Sequence, residues 1–446
     1  MIIPSGRRAV PILLAIVAAI GGAAVAWHYA NLGLTLSHYD ARGHLVVARR
    51  IFDSLTPGWQ QIGAVWLPLP HLLNALPVQI DLFYRTGASA IAISIASFAA
   101  ATAAIGWIVL LITESTAAAI AAAAVFALNP NVLYLQATPM TEPLLLALST
   151  VAVGLLMAGS RPGGPERPAP RIVGFFSRAV IGEWFVGSDF FVPENKSLGD
   201  PLLSAAEIGW GTRMLSGTAL LAAGAAGAAI VAVVGVASRQ RARALIALSL
   251  MSTAAIPWVA FLKGHPFRIR YMVPLIAMEA VGAGVLAGIA RWRAVRIAAA
   301  VAVLGLVAYE LRPLDASAPM VVEAQWDRPN GPVRATVTAC LGSPASGEKI
   351  MASMGSLGHY MQEASHSGFA IRNFLHEGNG DLWLAALADP KPFADWVLIE
   401  EKAQGGDMLA KRSREHPEFL SGYSRVCEGA GLALYRRQNL KLTVSR

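Results

Sequence analysis

Apolar residues in this chain come in unbroken blocks close to the roughly 20 residues that a helix needs to cross a bilayer. The first runs from Val10 to Trp27, behind Arg7 and Arg8. Others are Ala88–Ile112, Thr116–Leu135, Glu142–Met157, Leu215–Ala237, Ala244–Leu262, Tyr271–Ala290 and Ile297–Tyr309. Only 14% of the 446 residues are charged, where a soluble globular chain carries about 25%. The fold class that follows is mostly α: a polytopic transmembrane helical bundle over residues 1–311, then a soluble α/β domain over residues 312–446. The first block also has the outline of a signal peptide, with Ala24-Val25-Ala26 at the cleavage position. Read as an uncleaved span, it starts in the cytoplasm and brings the chain out near Ala30.

The formal net charge of +8 is unevenly spread. Residues up to Glu310 hold 21 Lys+Arg against 13 Asp+Glu, and the remainder holds 15 of each. The excess flanks apolar blocks, as orientation signals do. A nucleic-acid binder would gather its basic residues on one soluble face, so no nucleic-acid partner is expected. The clusters Arg239-Gln240-Arg241-Ala242-Arg243 and Arg291 to Arg296 mark cytoplasmic turns. They put the Lys263–Arg270 loop and the C-terminal domain outside a bacterial-type inner (plasma) membrane. The Arg161–Arg171 loop also reads as cytoplasmic, which obliges residues 172–213 to cross an odd number of times. The best candidate there, Ile172 to Val192, would bury Arg178, Glu183 and Asp189, at about 2.5–3.5 kcal/mol for each charge at mid-bilayer.

The first external loop spans residues 31–85, with Trp59, Trp66 and Tyr84 as candidate interface anchors. Within it Leu45, Ala48, Phe52 and Leu55 recur at helical spacing among Arg42, Arg49, Arg50 and Asp53. This stripe suits an amphipathic helix on the membrane surface, or one packed into the fold. Asp40, at the start of that stripe, can serve as a general base, as a cation ligand or as the helix N-cap. His38 and His44 flank it, so a His-x-Asp-x3-His metal site can be drawn. Glu142 begins an apolar block on the same expected face, and Thr141-Glu142-Pro143 also reads as a helix start. Two acids at one face can divide acid and base roles or share a divalent cation, Mg or Mn. Between two later spans lies Lys263-Gly264-His265-Pro266-Phe267-Arg268-Ile269-Arg270-Tyr271. Its three cations, histidine and tyrosine suit a lipid-borne phosphate, or snorkelling of basic residues at helix ends. Glu279 is an acid inside a span, a functional candidate by position alone.

Taken in order, these elements resemble the polytopic membrane glycosyltransferases of the GT-C fold. That group includes the protein O-mannosyltransferases (family 39-like), the lipid A aminoarabinose transferases and the catalytic subunit of oligosaccharyltransferase. His38-Tyr39-Asp40 and its stripe look like the family's acid in the first external loop. Thr141-Glu142 looks like its second acid, and His265 to Tyr271 like its donor-phosphate site. The resemblance covers roughly residues 10–160 and 214–311. It implies a polyprenyl-phosphate sugar as donor and a glycan, lipid or protein as acceptor. It further implies Asp40 as base or metal-linked acid, Glu142 as its assistant, and Lys263, His265, Arg268, Arg270 and Tyr271 around the leaving phosphate. Between Met157 and Arg213 the chain is shorter than the family pattern, though Ile181 to Val186 resembles a surviving external loop; a shortened module could require a partner subunit. Transport of a lipid or solute, with Glu279 on its path, and an inactive scaffold for an envelope glycan complex are the alternatives.

The C-terminal domain reads as α/β, with strands at Lys349–Met354, Trp396–Glu400 and Leu432–Arg436 and helices at Leu357–Ala364 and from about Gly406 to Arg414. It contains no nucleophile elbow, phosphate loop or metal-ligand pattern, which leaves acceptor binding or packing as its role. Cys340 and Cys427 are the two cysteines, and outside the cytoplasm they can pair; two unrelated buried thiols are the alternative.

Overall fold

A computed structural model of the chain describes residues 5–63, 66–160, 195–237, 241–344, 347–402 and 406–438. The protein is mostly helical, with one small C-terminal sheet. It divides into two compact units. The first takes the chain before Leu36 and the described residues between Ala90 and Ala324; the second takes Leu36–Ala90 and everything from Ala324 on.

Among the described residues six helices are long and apolar enough to cross a membrane: Ala9–Asn31, Ala88–Thr113, Glu142–Gly159, Thr218–Gly235, Ala242–Leu262 and Ile269–Gly288. The block expected to run straight from Thr116 to Leu135 is instead two helices, Thr116–Ala127 and Pro130–Gln136, bent by 67°. The reason is local. The Asn129 side chain accepts the backbone N–H groups of Asn131 and Val132 at 3.0 and 3.4 Å, capping a new helix whose first residue is Pro130. Counted as one span, the pair makes seven. The last expected span falls within the Arg293–Glu310 helix, whose sequence carries Arg293, Arg296 and Glu310. It is not one of the six. Arg296 reaches the Thr113 carbonyl at 3.0 Å, closing the C-terminal end of the Ala88–Thr113 helix with a cation. The expected crossing within Ile172–Val192 and the Ile181–Val186 loop lie outside the described residues.

The second unit is built on a five-stranded sheet: β1 (Ile350–Ala352), β2 (Phe374–Leu375), β3 (Trp396–Glu400), β4 (Tyr423–Gly429) and β5 (Leu432–Arg437), in the order β2-β1-β3-β5-β4. β1 pairs in parallel with β2 and β3, while β5 lies antiparallel between β3 and β4. Alternation divides the side chains between two cores. Ile350, Ala352, Trp396, Leu398, Leu432 and Leu434 point to one face; Met351, Val397, Ile399 and Tyr435 point to the other. β4 is not among the expected strands. It is an edge strand with mostly polar residues at its exposed positions, so it lacks the apolar run that marks its neighbours.

The first face of the sheet is covered partly by the loop that lies far before it in sequence. Leu45, Val46, Ala48, Val78 and Tyr84 belong to the same core as Ile350, Leu398 and Leu434. The Tyr39–Arg49 helix is therefore not a membrane-surface helix: every residue in it except Tyr39 is buried. Its stripe ends at Arg49, and Phe52 is 53% exposed beyond it. The arginines between the apolar residues meet acids instead of water. Arg42 pairs with Glu363 and lies 3.8 Å from Asp327; Arg49 reaches Asp53 at 3.1 Å and Asp81 at 2.7 Å. Asp53 in turn takes Arg372 at 2.8 Å and the Ile371 N–H at 3.2 Å.

Tyr84, expected at an interface, is also in this core, with Arg49 over its ring at 4.5 Å. The surface of the loop is apolar elsewhere. In the Pro68–Asn74 helix Leu69, Leu72 and Leu73 are exposed while His71 and Asn74 are buried, the reverse of a water-facing helix.

Cys340 and Cys427 are joined, with their Cα atoms 6.4 Å apart across 87 residues. The bond ties the Asn330–Leu341 helix to β4. Closing a loop of that length is worth about 4–5 kcal/mol on the chain-entropy view. Cys340→Ser is accordingly expected to lower the denaturation midpoint of the second unit markedly, read by circular dichroism. A midpoint that matches the wild type would show that the bond adds nothing.

Candidate functional site

Glu142 opens the Glu142–Gly159 helix, with Thr141 at the cap position and Pro143 in the first turn. Thr141 makes no side-chain capping bond there; the negative charge in the first turn is what favours this start. The Glu142 carboxylate is 4.0 Å from the Arg270 Nε, and both side chains are largely buried.

Arg270 comes from a turn the sequence shapes closely. The Ala255–Leu262 helix ends at Lys263, and Gly264 follows at φ +89°, a left-handed conformation that suits glycine. The His265 N–H then bonds back to the Ala260 carbonyl at 2.9 Å. After Pro266 and Phe267, Arg268 precedes a single 3-10 turn, Ile269–Met272, that leads into the next long helix. Tyr271 sits beside Arg270, whose guanidinium lies 5.5 Å from the ring centre. The Tyr271 hydroxyl is 3.5 Å from the His265 Nε2.

His265 is held neutral. Burial lowers its pKa, and the nearby charges of Arg268 and Arg270 lower it further, against the Pro266 carbonyl that favours the charged ring. With Nδ1 3.0 Å from that carbonyl, the neutral tautomer carries its proton on Nδ1 and presents the Nε2 lone pair towards Tyr271. Among the expected phosphate-binding residues, then, Arg270, Tyr271 and His265 are brought together with Glu142. Lys263 is exposed at the helix end, and Arg268 joins them through its charge on His265.

Sequence reasoning missed the clamp behind this turn. Asn195 Nδ2 donates to the His265 carbonyl at 2.6 Å and to the Phe261 carbonyl at 3.4 Å. The Gly199 N–H donates to the Leu262 carbonyl at 2.9 Å. Ser197 links Asn195 to Glu207 at 3.0 and 2.8 Å. The signal that could have found it is Asp200-Pro201, where Asp200 caps the next helix through the Leu202 and Leu203 N–H groups. It fixes a helix start directly after Asn195–Gly199.

Asp40 belongs to the second unit and Glu142 to the first. Asp40 is 4% exposed and stands in the first turn of the Tyr39–Arg49 helix. It is not the N-cap: His38 is, its Nδ1 accepting the Asp40 N–H at 3.1 Å. Tyr39 makes T-shaped ring contacts with Trp326 and with His359. The residues after it lead to Arg42 and the Asp327–Arg334–Glu363 cluster, where Arg334 makes paired bonds of 2.8 Å to Asp327 and of 2.7 Å to Glu363.

The His38–Asp40–His44 metal triad is not formed. His38 Nδ1 is engaged by the helix, and His44 Nδ1 lies 3.1 Å from the Nε2 of buried His71. Among the described residues no group of three His, Cys, Asp or Glu is arranged to hold a metal ion.

No family model, no curated protein and no solved structure matches the chain.

Proposed function

We propose that this is a membrane glycosyltransferase that moves a sugar from a polyprenyl-phosphate donor to an acceptor at the external face. The observation that supports it best is Arg270 at 4.0 Å from Glu142, with Tyr271 and a neutral His265 beside them, at the mouth of an apolar span. A cation held by a carboxylate is a site an incoming phosphate can enter by taking over the cation.

In the reaction, the acceptor nucleophile attacks the anomeric carbon of the sugar. The bond from that carbon to the phosphate oxygen breaks, and polyprenyl phosphate leaves with the electron pair. Arg268, Arg270 and Lys263 stabilise the charge that develops on it, and Tyr271 donates a hydrogen bond. Asp40 takes the proton of the acceptor and Glu142 assists, so the charges balance through side chains alone.

The test is transfer from a polyprenyl-phosphate sugar in vesicles. Asp40→Asn and Glu142→Gln are each expected to lower kcat by about 10²–10⁴, the range of a lost acid or base, with the helical circular dichroism signal unchanged. Arg270→Ala is expected to raise KM for the donor. Undiminished transfer in both acid variants would remove the catalytic assignment. Movement of lipid across the bilayer that survives both would favour transport instead.

A further inference from the structure

Glu279 stands midway along the Ile269–Gly288 span, 4% exposed. Facing it on the Thr218–Ala237 helix are glycines. A Cβ at Gly224 would fall 2.7 Å from the Glu279 Cγ and 2.8 Å from its Cα; one at Gly227 would fall 1.8 Å from the Gly282 carbonyl oxygen. The base of the Glu279 side chain therefore lies against a notch that exists because Gly224 carries no side chain, and Gly227 lets the two backbones meet one turn further on.

Neither carboxyl oxygen has a hydrogen-bond partner of ordinary geometry among the described residues. Two polar groups act on it from outside its own helix, the Ser216 hydroxyl and the Glu310 carboxylate, and no cation does. Glu310 is occupied elsewhere: it accepts the Ala219 and Leu220 N–H groups at 2.8 and 2.7 Å, capping the helix that carries the notch. Ser216 accepts from Asn129 Nδ2 at 3.2 Å, so its own proton remains to be turned towards Glu279. Of the helices that pack against this span, Thr116–Ala127 and Thr218–Ala237 contain no charged residue, Arg293–Glu310 carries Arg293, Arg296 and Glu310, and Pro201–Ser216 carries Glu207 and Arg213.

An ionised carboxylate in such surroundings would face another carboxylate, with one hydroxyl and no cation to offset its desolvation. We infer that Glu279 is a proton-binding site within the membrane-spanning unit, its carboxyl carried as the neutral acid beside the glycine notch. Release of that proton leaves a charge the closed notch does not solvate, so water or a cation must enter between the two helices. Proton loss and separation of the seam are thereby coupled. This site is independent of the glycosyl-transfer reading, since none of its residues takes part in that reaction.

The full-length protein in phospholipid vesicles at pH 7 tests this with dicyclohexylcarbodiimide, an apolar reagent that adds to protonated carboxyls. Peptide mapping by mass spectrometry is expected to place an adduct on Glu279, with none there from a water-soluble carbodiimide. Infrared spectra supply a second readout: the carboxylic-acid carbonyl band of the wild type should lose intensity in Glu279→Gln. Equal labelling by the water-soluble reagent, or superimposable carbonyl bands for the two proteins, would overturn the inference. The wild-type adduct needs no variant and stands even where Glu279→Gln folds poorly.

Discussion

A fragment that begins at residue 312 and runs to the C-terminus is expected to show no cooperative unfolding transition, although it contains the whole sheet. The same fragment joined through a flexible linker to residues 36–90 is expected to show one. The reason lies in the first face of the sheet, which shares its core with Leu45, Val46, Val78 and Tyr84 of the earlier loop. Each large apolar side chain withdrawn from such a core removes about 1.5–3 kcal/mol of burial. Four of them reach the 5–15 kcal/mol that holds an ordinary domain together. Taking the loop away also strips polar groups of the sheet domain of their partners. Arg372 and the Ile371 N–H lose Asp53, and Glu363 loses Arg42. Gln362, 1% exposed, loses the Tyr84 carbonyl at 3.1 Å. Circular dichroism under urea separates the cases. A sharp transition in the short fragment would show that the loop is an accessory rather than part of the core.

The same loop marks where the sequence stops being informative. Apolar blocks betray membrane helices because length and composition are local properties, and six of the expected spans are here as long apolar helices. β1, β3 and β5 are legible for a similar reason: short apolar runs bounded by turn residues. The kink at Asn129-Pro130 has a local signal too, but hydropathy averages across it. What no local pattern reveals is the partner of a charge. Arg42, Arg49 and Asp53 look like the polar face of a surface helix, and their partners include Glu363 and Arg372, hundreds of residues away. A stripe with charges every few positions reads as solvated until the opposite charges are known to arrive. The inverted Pro68–Asn74 helix misleads in the other direction, because its buried residues are the polar ones.

For the candidate site, the residue types of the Lys263–Tyr271 stretch and the acid at Glu142 are visible in the sequence, and so is the glycine that turns the chain. Their meeting is not, since the Glu142–Arg270 pair joins two helix starts that are remote from each other along the chain. Asn195, which fixes the turn from behind, carries no motif at all.

Mild acid is expected to unfold the second unit. Three of its histidines are buried and kept neutral, chiefly by loss of hydration. His71 and His359 are lowered to about 4 and His376 to about 3. In the unfolded chain each takes up a proton near its ordinary value of about 6.5. Below that pH the unfolded state binds more protons than the folded one, so the stability these groups contribute is lost as pH falls from about 6.5 towards 4. Glu400 acts in the opposite sense. Burial, with Asp407 nearby, raises it to about 7, so the folded state holds its proton where the unfolded chain has released it. Asp407 is raised as well, again by burial, and takes a further share. With His366, which burial lowers as well, four histidine protons less that of Glu400 leave a net uptake of at most three on unfolding. At about 1.36 kcal/mol per proton per pH unit, the second unit loses at most roughly 4 kcal/mol for each unit below pH 6.5. Urea midpoints of the linked fragment at pH 7.5, 6.5, 5.5 and 4.5 measure this slope. His376→Gln, which supplies no titrating ring, is expected to flatten it by about one proton. A midpoint constant from pH 6.5 to 4.5 would mean that these rings are hydrated in the folded protein.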